Sequence, residues 1–472
     1  MLFNSYPFLI LVIITFLIYY CPLFKNQQVM VLIAASVVFY GYGQPYYLIL
    51  LIFSATINAI ASYLVRYSRT QSRRKASAIA GVVLNLAILL FFKYNHLLDG
   101  IVSPSHDFFY FMVTLPLPIG ISFYTFQGIS LVVDTYNPNN TYDIKIEKRF
   151  SLHFKNTFFF KVFFPQLIAG PIVKAHQFFP QICRKYFKDI NVSLVFKSLV
   201  VGYFLKSVIA DNLKDQTYWI AYPYFEFQSS VILVTMLFGF SMQIFADFAG
   251  YSLIAIGVAA LFGYNLPENF NFPYISASVT EFWRRWHISL SSWLKEYLYF
   301  SLGGNRKGNL RTYLNLIIVM FLGGLWHGAA LNYGIWGLWH GAGLMTERVL
   351  TRRTNLEKGE TRIPILVIRM FLVFVFVSLG WLLFKLTSMR YALDYLLAIF
   401  KNISVPHNYA LLLKIAIYSC PVVLYHIIYL IKIGKIELYN AVVRHDHVIY
   451  SIMIVLIIVN GGIPGEFIYF QF

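Results

Sequence analysis

The chain has 472 residues, 58% hydrophobic and 19% aromatic but only 12% charged, with 38 Lys+Arg against 20 Asp+Glu. A soluble domain carries about 25% charged residues, so about half the usual solvating surface is missing, which excludes a soluble globular enzyme as well as a disordered or fibrous chain. The net charge of +18 would suggest nucleic acid in a soluble protein, but here the positive residues sit in short loops between apolar runs, as cytoplasmic loops of membrane proteins do. No nucleic acid partner is expected, and the partner that composition implies is the lipid bilayer. Uncharged runs of spanning length recur from end to end, so residues 1–472 read as one all-α polytopic membrane domain.

A helix crossing the hydrocarbon core takes about 20 apolar residues. The run 7–24 is the first, read as a retained helix because it lacks a basic n-region and a cleavage site. Residues 26–65 carry no charge and hold two helices, broken at Gly41-Tyr42-Gly43-Gln44-Pro45. The segment 66–75 has five positive residues and no acid, which makes it a cytoplasmic loop and puts the N-terminus outside. Residues 76–92 form the fourth span. Pro116, Pro118 and Gly120 interrupt the apolar run 108–133, and a broken helix needs protein or a cavity around it. Segment 143–189 mixes charges with aromatics and reads as amphipathic helices on the membrane interface. Lys197 and Lys206 flank a further span. The stretches 227–246 and 248–267 are separated only by Asp247, an intramembrane acid that is either a functional residue or a packed one.

A basic, Trp-rich arm (281–311) precedes 35 residues (312–346) without Asp, Glu, Lys or Arg, and a second basic loop covers 348–362. With both flanks in the cytoplasm, 312–346 must enter and return, and since two full spans need about 40 residues the expected geometry is a pair of short helices turning near the midplane. Residues 370–384, 415–431 and 448–460 supply the last spans, the C-terminal helices occupying 363–460. The positive loop 432–446 then sends the final helix outward, so the tail 461–472 starts on the outer side. Cys21, Cys183 and Cys420 lie far apart without metal-ligand spacing.

Within 312–346 the phrase Leu325-Trp326-His327-Gly328 recurs thirteen residues later as Leu338-Trp339-His340-Gly341. An ionisable group there is costly unless it lines a wet cavity. A neutral imidazole in such a place can act as general base for a hydroxyl attacking a thioester. Two packed histidines, or a metal site poor in ligands, are the other readings. The remaining histidines, His426 among them, read as packing residues. The arm alternates cations with aromatics: Trp283, Arg284, Arg285, Trp286, His287, Trp293 and Lys295. It suits an anionic, nucleotide-like ligand, or else lipid phosphates at the interface. The tail carries a hinge (Gly461, Gly462, Pro464, Gly465) and then Glu466-Phe467-Ile468-Tyr469-Phe470-Gln471-Phe472. Such an aromatic end needs a docking place, or anchors in the aromatic belt.

These motifs resemble the membrane-bound O-acyltransferase (MBOAT) family, in its bacterial branch that O-acetylates surface glycans. The resemblance rests on Leu117-Pro-Ile-Gly-Ile-Ser-Phe-Tyr-Thr-Phe-Gln127, Phe164-Pro-Gln-Leu-Ile-Ala-Gly-Pro171, Phe245-Ala-Asp-Phe-Ala-Gly-Tyr-Ser252, Phe282-Trp-Arg-Arg-Trp-His-Ile-Ser-Leu-Ser-Ser-Trp293, Leu302-Gly-Gly-Asn-Arg306 and Gly324-Leu-Trp-His-Gly328, in order over residues 1–350. It implies a ring of about 11 transmembrane helices plus re-entrant and interfacial helices around a thin centre, with an outer funnel meeting an inner tunnel. It implies that His327 is the catalytic histidine and His340 the second family histidine, and Asn332 falls where relatives often carry Asn. The donor it implies is acetyl-CoA, with no metal and no permanently bound cofactor. A periplasmic SGNH-type O-acetyltransferase is the implied partner in a bacterial inner membrane, with both termini periplasmic. The implied acceptor is peptidoglycan, reached indirectly, with alginate or another exopolysaccharide as rival. In D-alanine transfer to teichoic acids a similar C-terminal aromatic motif on a small partner carries the acyl group on its Tyr. The tail here looks like that motif fused to the transferase, with Tyr469 as acyl carrier. The reading from another class is a non-catalytic conduit or scaffold for an outer enzyme, which would tolerate His327→Ala.

Overall fold

The computed structural model describes residues 1–43, 45–95, 115–137, 144–168, 170–354, 363–386, 388–463, 465 and 467–468. Among the described residues it is all helical, without strands. Among the described residues, seven helices are long and apolar enough to cross a membrane: Tyr47–Tyr67, Gln71–Tyr94, Val192–Ile220, Ser230–Leu261, Gly308–His327, Ile363–Lys385 and Tyr409–Gly434. Tyr6–Tyr20, Gln28–Gly41 and Asp446–Val459 are shorter apolar helices. The chain divides into two compact units, residues 1–196 with 254–267, and residues 197–253 with 268–472.

In the first unit, the charge-free run 26–65 splits into Gln28–Gly41 and Tyr47–Tyr67, as Gly41 and Pro45 predict. Helices Tyr47–Tyr67 and Gln71–Tyr94 are locked by a reciprocal amide pair. Asn58 Nδ2 donates to Asn85 Oδ1 (3.0 Å) and Asn85 Nδ2 to Asn58 Oδ1 (2.9 Å), both residues buried. The basic loop 66–75 is shorter than its composition suggests. Thr70 caps the next helix, its hydroxyl accepting from Arg73 N, so 71–75 are helical and only 68–70 connect. Positive residues at a short turn remain a cytoplasmic signal. A cysteine at the exposed Ser72 is therefore expected to react with maleimide only in permeabilised cells, and labelling of intact spheroplasts would reverse the topology.

The interfacial reading of 143–189 is corrected by the structure over 150–168. Phe159, Phe160, Val162, Phe163 and Phe164 in and after the Phe150–Val162 helix are fully buried. Two polar residues of this helix, His153 and Lys161, are buried too, because each meets a partner on the Tyr47–Tyr67 helix. Lys161 Nζ donates to Ser54 Oγ (2.6 Å), and a His153 ring nitrogen lies 2.8 Å from Ser62 Oγ.

In the second unit, Lys206 does not flank a span. It lies in the middle of the continuous Val192–Ile220 helix, in a π-helical stretch, Phe204–Ala210. Asp247 does not separate two helices either, since Ser230–Leu261 runs through it for 32 residues. Each buried charge meets the other, Lys206 Nζ lying 2.7 Å from Asp247 Oδ1 and 2.8 Å from Asp211 Oδ1. The uncharged 312–346 stretch folds as a helix pair as expected, but the helices are not short: Gly308–His327 has 20 residues and is long enough to cross, and Leu331–Thr354 has 24, because both extend into the charged flanks. The predicted loop at 348–362 is helical as far as Thr354, and its remainder lies outside the described residues.

The helix pair is joined by small-residue packing, the usual way for helices to approach closely in a membrane. A Cβ on Gly324 would run into the Tyr333 carbonyl, and one on Gly337 into the Met320 carbonyl. Gly337→Val is expected to destabilise the protein by about 1–3 kcal/mol through overpacking, read as an earlier unfolding midpoint in detergent.

Candidate active site

The turn 328–330 puts His327 at the last position of its helix, facing the start of the next. The glycine of the Trp-His-Gly phrase has a steric reason. A Cβ on Gly328 would overlap the Tyr333 ring, which packs edge-on to Phe384 at 5.2 Å. His327 is 6% exposed, and its imidazole stands edge-on to Trp336 (5.1 Å) and Phe384 (5.2 Å).

The arm comes to the same place. Ser278 caps the Val279–Arg285 helix, its hydroxyl accepting from Glu281 N, and Glu347 Oε2 accepts from Thr280 N (3.0 Å), which ties the arm to Leu331–Thr354. His287 then turns the chain, in the left-handed region at φ 44°, before Ile288–Trp293. Its Nδ1 lies 3.0 Å from Asn269 Oδ1, which also accepts from Ser289 N and Oγ. Burial pushes the His287 imidazole down to about 3, so it is neutral at physiological pH.

Between arm and helix pair lies a cavity of about 420 Å³, lined by Trp283, Arg284, Ser291, Lys295, Tyr299, His327, Trp336 and Arg348 among others. The sequence-predicted Trp283, Arg284, Lys295 and His327 thus share one wall. Among the described residues, three buried donors of this lining have no hydrogen-bond partner: Trp283 Nε1, Trp336 Nε1 and Arg348 Nε. Buried donors without acceptors are uncommon in native proteins. A ligand rich in oxygen acceptors is the chemistry that would satisfy them.

The other predicted residues have different neighbours. Arg285 pairs with Glu281 at 2.9 Å and donates to the Asn271 carbonyl. Trp286 stacks on Phe282 and packs on Trp381 at 4.9 Å. Trp293 is buried against Tyr297. Asn332 Nδ2 donates to the Leu386 carbonyl (2.7 Å), fixing the start of the second helix. His340 does not line the cavity. It is fully buried between Trp283 (5.2 Å), Trp336 (4.8 Å) and Phe376 (5.5 Å), with no hydrogen-bond partner for either nitrogen among the described residues.

Two cavity residues, Trp336 and Arg348, were not singled out from the sequence. Their signal was present: 336, 340, 344 and 348 follow one another at i,i+4, a single stripe along a helix. Arg348 was instead read as the first residue of a loop.

The tail comes back into this unit. Phe467 is buried and stacks on Tyr251 at 4.6 Å, and Ile468 N donates to Asp247 Oδ2 at 2.7 Å. From Phe467 a file of rings leads to His327: Phe467–Phe248 (5.5 Å), Phe248–His287 (4.6 Å), His287–Trp326 (6.2 Å) and Trp326–His327 (5.1 Å). Tyr469 lies outside the described residues.

Comparison with known proteins places this geometry. Residues 145–385 match MBOAT, the membrane-bound O-acyltransferase family. A peptidoglycan O-acetyltransferase of Helicobacter pylori is 35% identical over 403 residues, covering 79% of this chain and 73% of its own. The probable alginate O-acetylase AlgI of Pseudomonas aeruginosa is 35% identical over 406 residues, covering 83% of this chain and 73% of its own. A teichoic acid D-alanyltransferase of Bacillus subtilis is 30% identical over 229 residues, covering 46% of this chain and 55% of its own.

Proposed function

This chain belongs to the membrane-bound O-acyltransferase family and is a multi-pass membrane acyltransferase, and from that premise we propose that it carries acetyl from cytoplasmic acetyl-CoA to the periplasmic face of a bacterial inner membrane. The acetyl group goes by way of Tyr469 to a periplasmic SGNH-type partner for O-acetylation of peptidoglycan. What carries this reading is the cavity where arm cations, unsatisfied indole and guanidinium donors and His327 share one lining. Coenzyme A is anionic at its nucleotide end and rich in carbonyl acceptors along its pantetheine arm. Arg284 and Lys295 suit the first, and Trp283, Trp336 and Arg348 suit the second. The thioester then lies beside an imidazole.

In this scheme His327 takes the proton of the Tyr469 hydroxyl as the phenol oxygen attacks the thioester carbonyl. The C–S bond breaks, and the CoA thiolate recovers the proton. An acetyl-phenol ester is a good donor, because phenolate leaves more readily than an alkoxide. A serine of the outer partner attacks it and returns the free tyrosine. The ring file from Phe467 to Trp326 supports a tail that works near His327. Both termini are periplasmic in this scheme, following the charge distribution.

Loss of a charged hydrogen-bond partner costs about 1.5–3 kcal/mol. Arg284→Ala and Lys295→Ala are therefore each expected to raise the KM for acetyl-CoA about tenfold or more in proteoliposomes. A KM unchanged in both would remove the cavity as donor site. Alginate is the rival acceptor, supported by the equal identity of the two relatives. Acetate released from purified peptidoglycan of a deletion strain, against that from exopolysaccharide, separates the two.

A further inference from the structure

Two carboxylates and one ammonium lie buried together in the second unit: Asp211, Asp247 and Lys206. One ammonium serves two carboxyl groups, and buried polar groups are costly unless paired and hydrogen-bonded. The chain's own tail meets this cluster at successive points. Asn460 is held at both ends, its carbonyl by Asn212 Nδ2 (3.1 Å) and its Oδ1 by Tyr418 Oη (3.2 Å). Gly462 N donates to the Ser207 carbonyl (2.8 Å), Gly465 lies against Asp211, and Ile468 N reaches Asp247 Oδ2 (2.7 Å).

The seat also selects by shape. A Cβ on Gly462 would come within 2.9 Å of the Asp211 and Asn212 backbone, and one on Gly465 within 3.2 Å of Asp211 Oδ1. Phe467 fills the gap between Phe248 and Tyr251.

We propose that Lys206, Asp211 and Asp247 form a receptor for the tail residues Gly462, Gly465, Phe467 and Ile468, with Asp247 the positioning residue that fixes the depth at which Ile468 is held. The recognised pattern is Gly462, Gly465 and Phe467, closed by the backbone N–H of residue 468. Lys206 pairs with one oxygen of Asp247 and orients the carboxyl group, leaving the other oxygen for the tail. The purpose of the seat rests on the reading of Tyr469 as acyl carrier, but its existence does not.

The test is the protection of residue 468. Ile468→Cys is introduced with Cys21, Cys183 and Cys420 changed to Ser, and reaction with a membrane-permeant maleimide is timed in native membranes. The contact under test is made by the backbone, so the cysteine leaves it in place. Slow labelling is expected in this parent, at least tenfold faster labelling with Asp247→Ala, and protection regained with Asp247→Glu. Gly462→Val and Phe467→Ala, made from the tail side without touching the helices, are expected to deprotect equally. Should Asp247→Ala fail to accumulate, these two decide the matter. Fast labelling of the parent, or unchanged slow labelling in both tail variants, overturns the seat. If the labelling follows the proposal while Tyr469→Phe remains active in acetyl transfer, the seat stands and the relay falls.

Discussion

His327→Ala is expected to lower acetyl transfer by about 10²–10⁴-fold, the range for a positioned general base, with the protein still folded in the membrane. The position argues for a clean effect. His327 ends its helix and borders the cavity, so truncation removes no residue from the backbone contact of Gly324 with Tyr333. Donor binding through Arg284 and Lys295 should survive, so the loss falls on kcat and not on the KM for acetyl-CoA. A conduit or scaffold would leave glycan acetate near the wild-type level in this variant. His340→Ala is expected to act differently. That ring fills a cage of Trp283, Trp336 and Phe376, so its removal leaves a void beside two cavity residues. A smaller loss of activity should come with a lower unfolding midpoint.

Tyr469→Phe is the second large effect expected. The change keeps the ring and deletes the nucleophile, so it should stop acetylation with little change in stability. Free tyrosine has a pKa of about 10 and is a poor nucleophile at neutral pH, which is why the scheme requires a base beside it. An anchor in the aromatic belt would give a fully active Tyr469→Phe protein. Mass spectrometry of the C-terminal peptide, taken from protein incubated with acetyl-CoA and no partner, is expected to show an added acetyl group on Tyr469 in the wild type. In the His327→Ala variant that peptide should be unmodified. Acetate on the peptide in both would mean that another base serves the phenol.

What the sequence revealed, and what it hid, follows from the range of the interactions. Hydrophobic runs and Gly/Pro breaks are local, so the division of 26–65 and the paired helices of 312–346 could be read directly. The repeated Leu-Trp-His-Gly phrase marked the neighbourhood of the cavity, because histidines in an uncharged stretch are rare. Lys161 and Lys206 misled for the opposite reason. Each looked like a residue at a membrane surface, and each is buried because its partner lies elsewhere in the chain: Ser54 and Asp247. No pattern within a helical window reports such a pairing. Arg348 was hidden by its flank, since a basic run after a span looks like a loop even where the helix continues.

The Asn58–Asn85 pair bears on how the protein is made. Alone in lipid, each helix would expose an amide that hydrocarbon cannot solvate. Together the two amides satisfy one another, and only residues 68–70 separate the helices. Tyr47–Tyr67 therefore has reason to wait at the translocation channel until Gln71–Tyr94 has been synthesised, so that the two enter the bilayer as a hairpin. Asn85→Leu would make the second helix easier to insert by itself while leaving Asn58 Oδ1 without its donor, so the defect would surface during biogenesis as degradation of newly made chains.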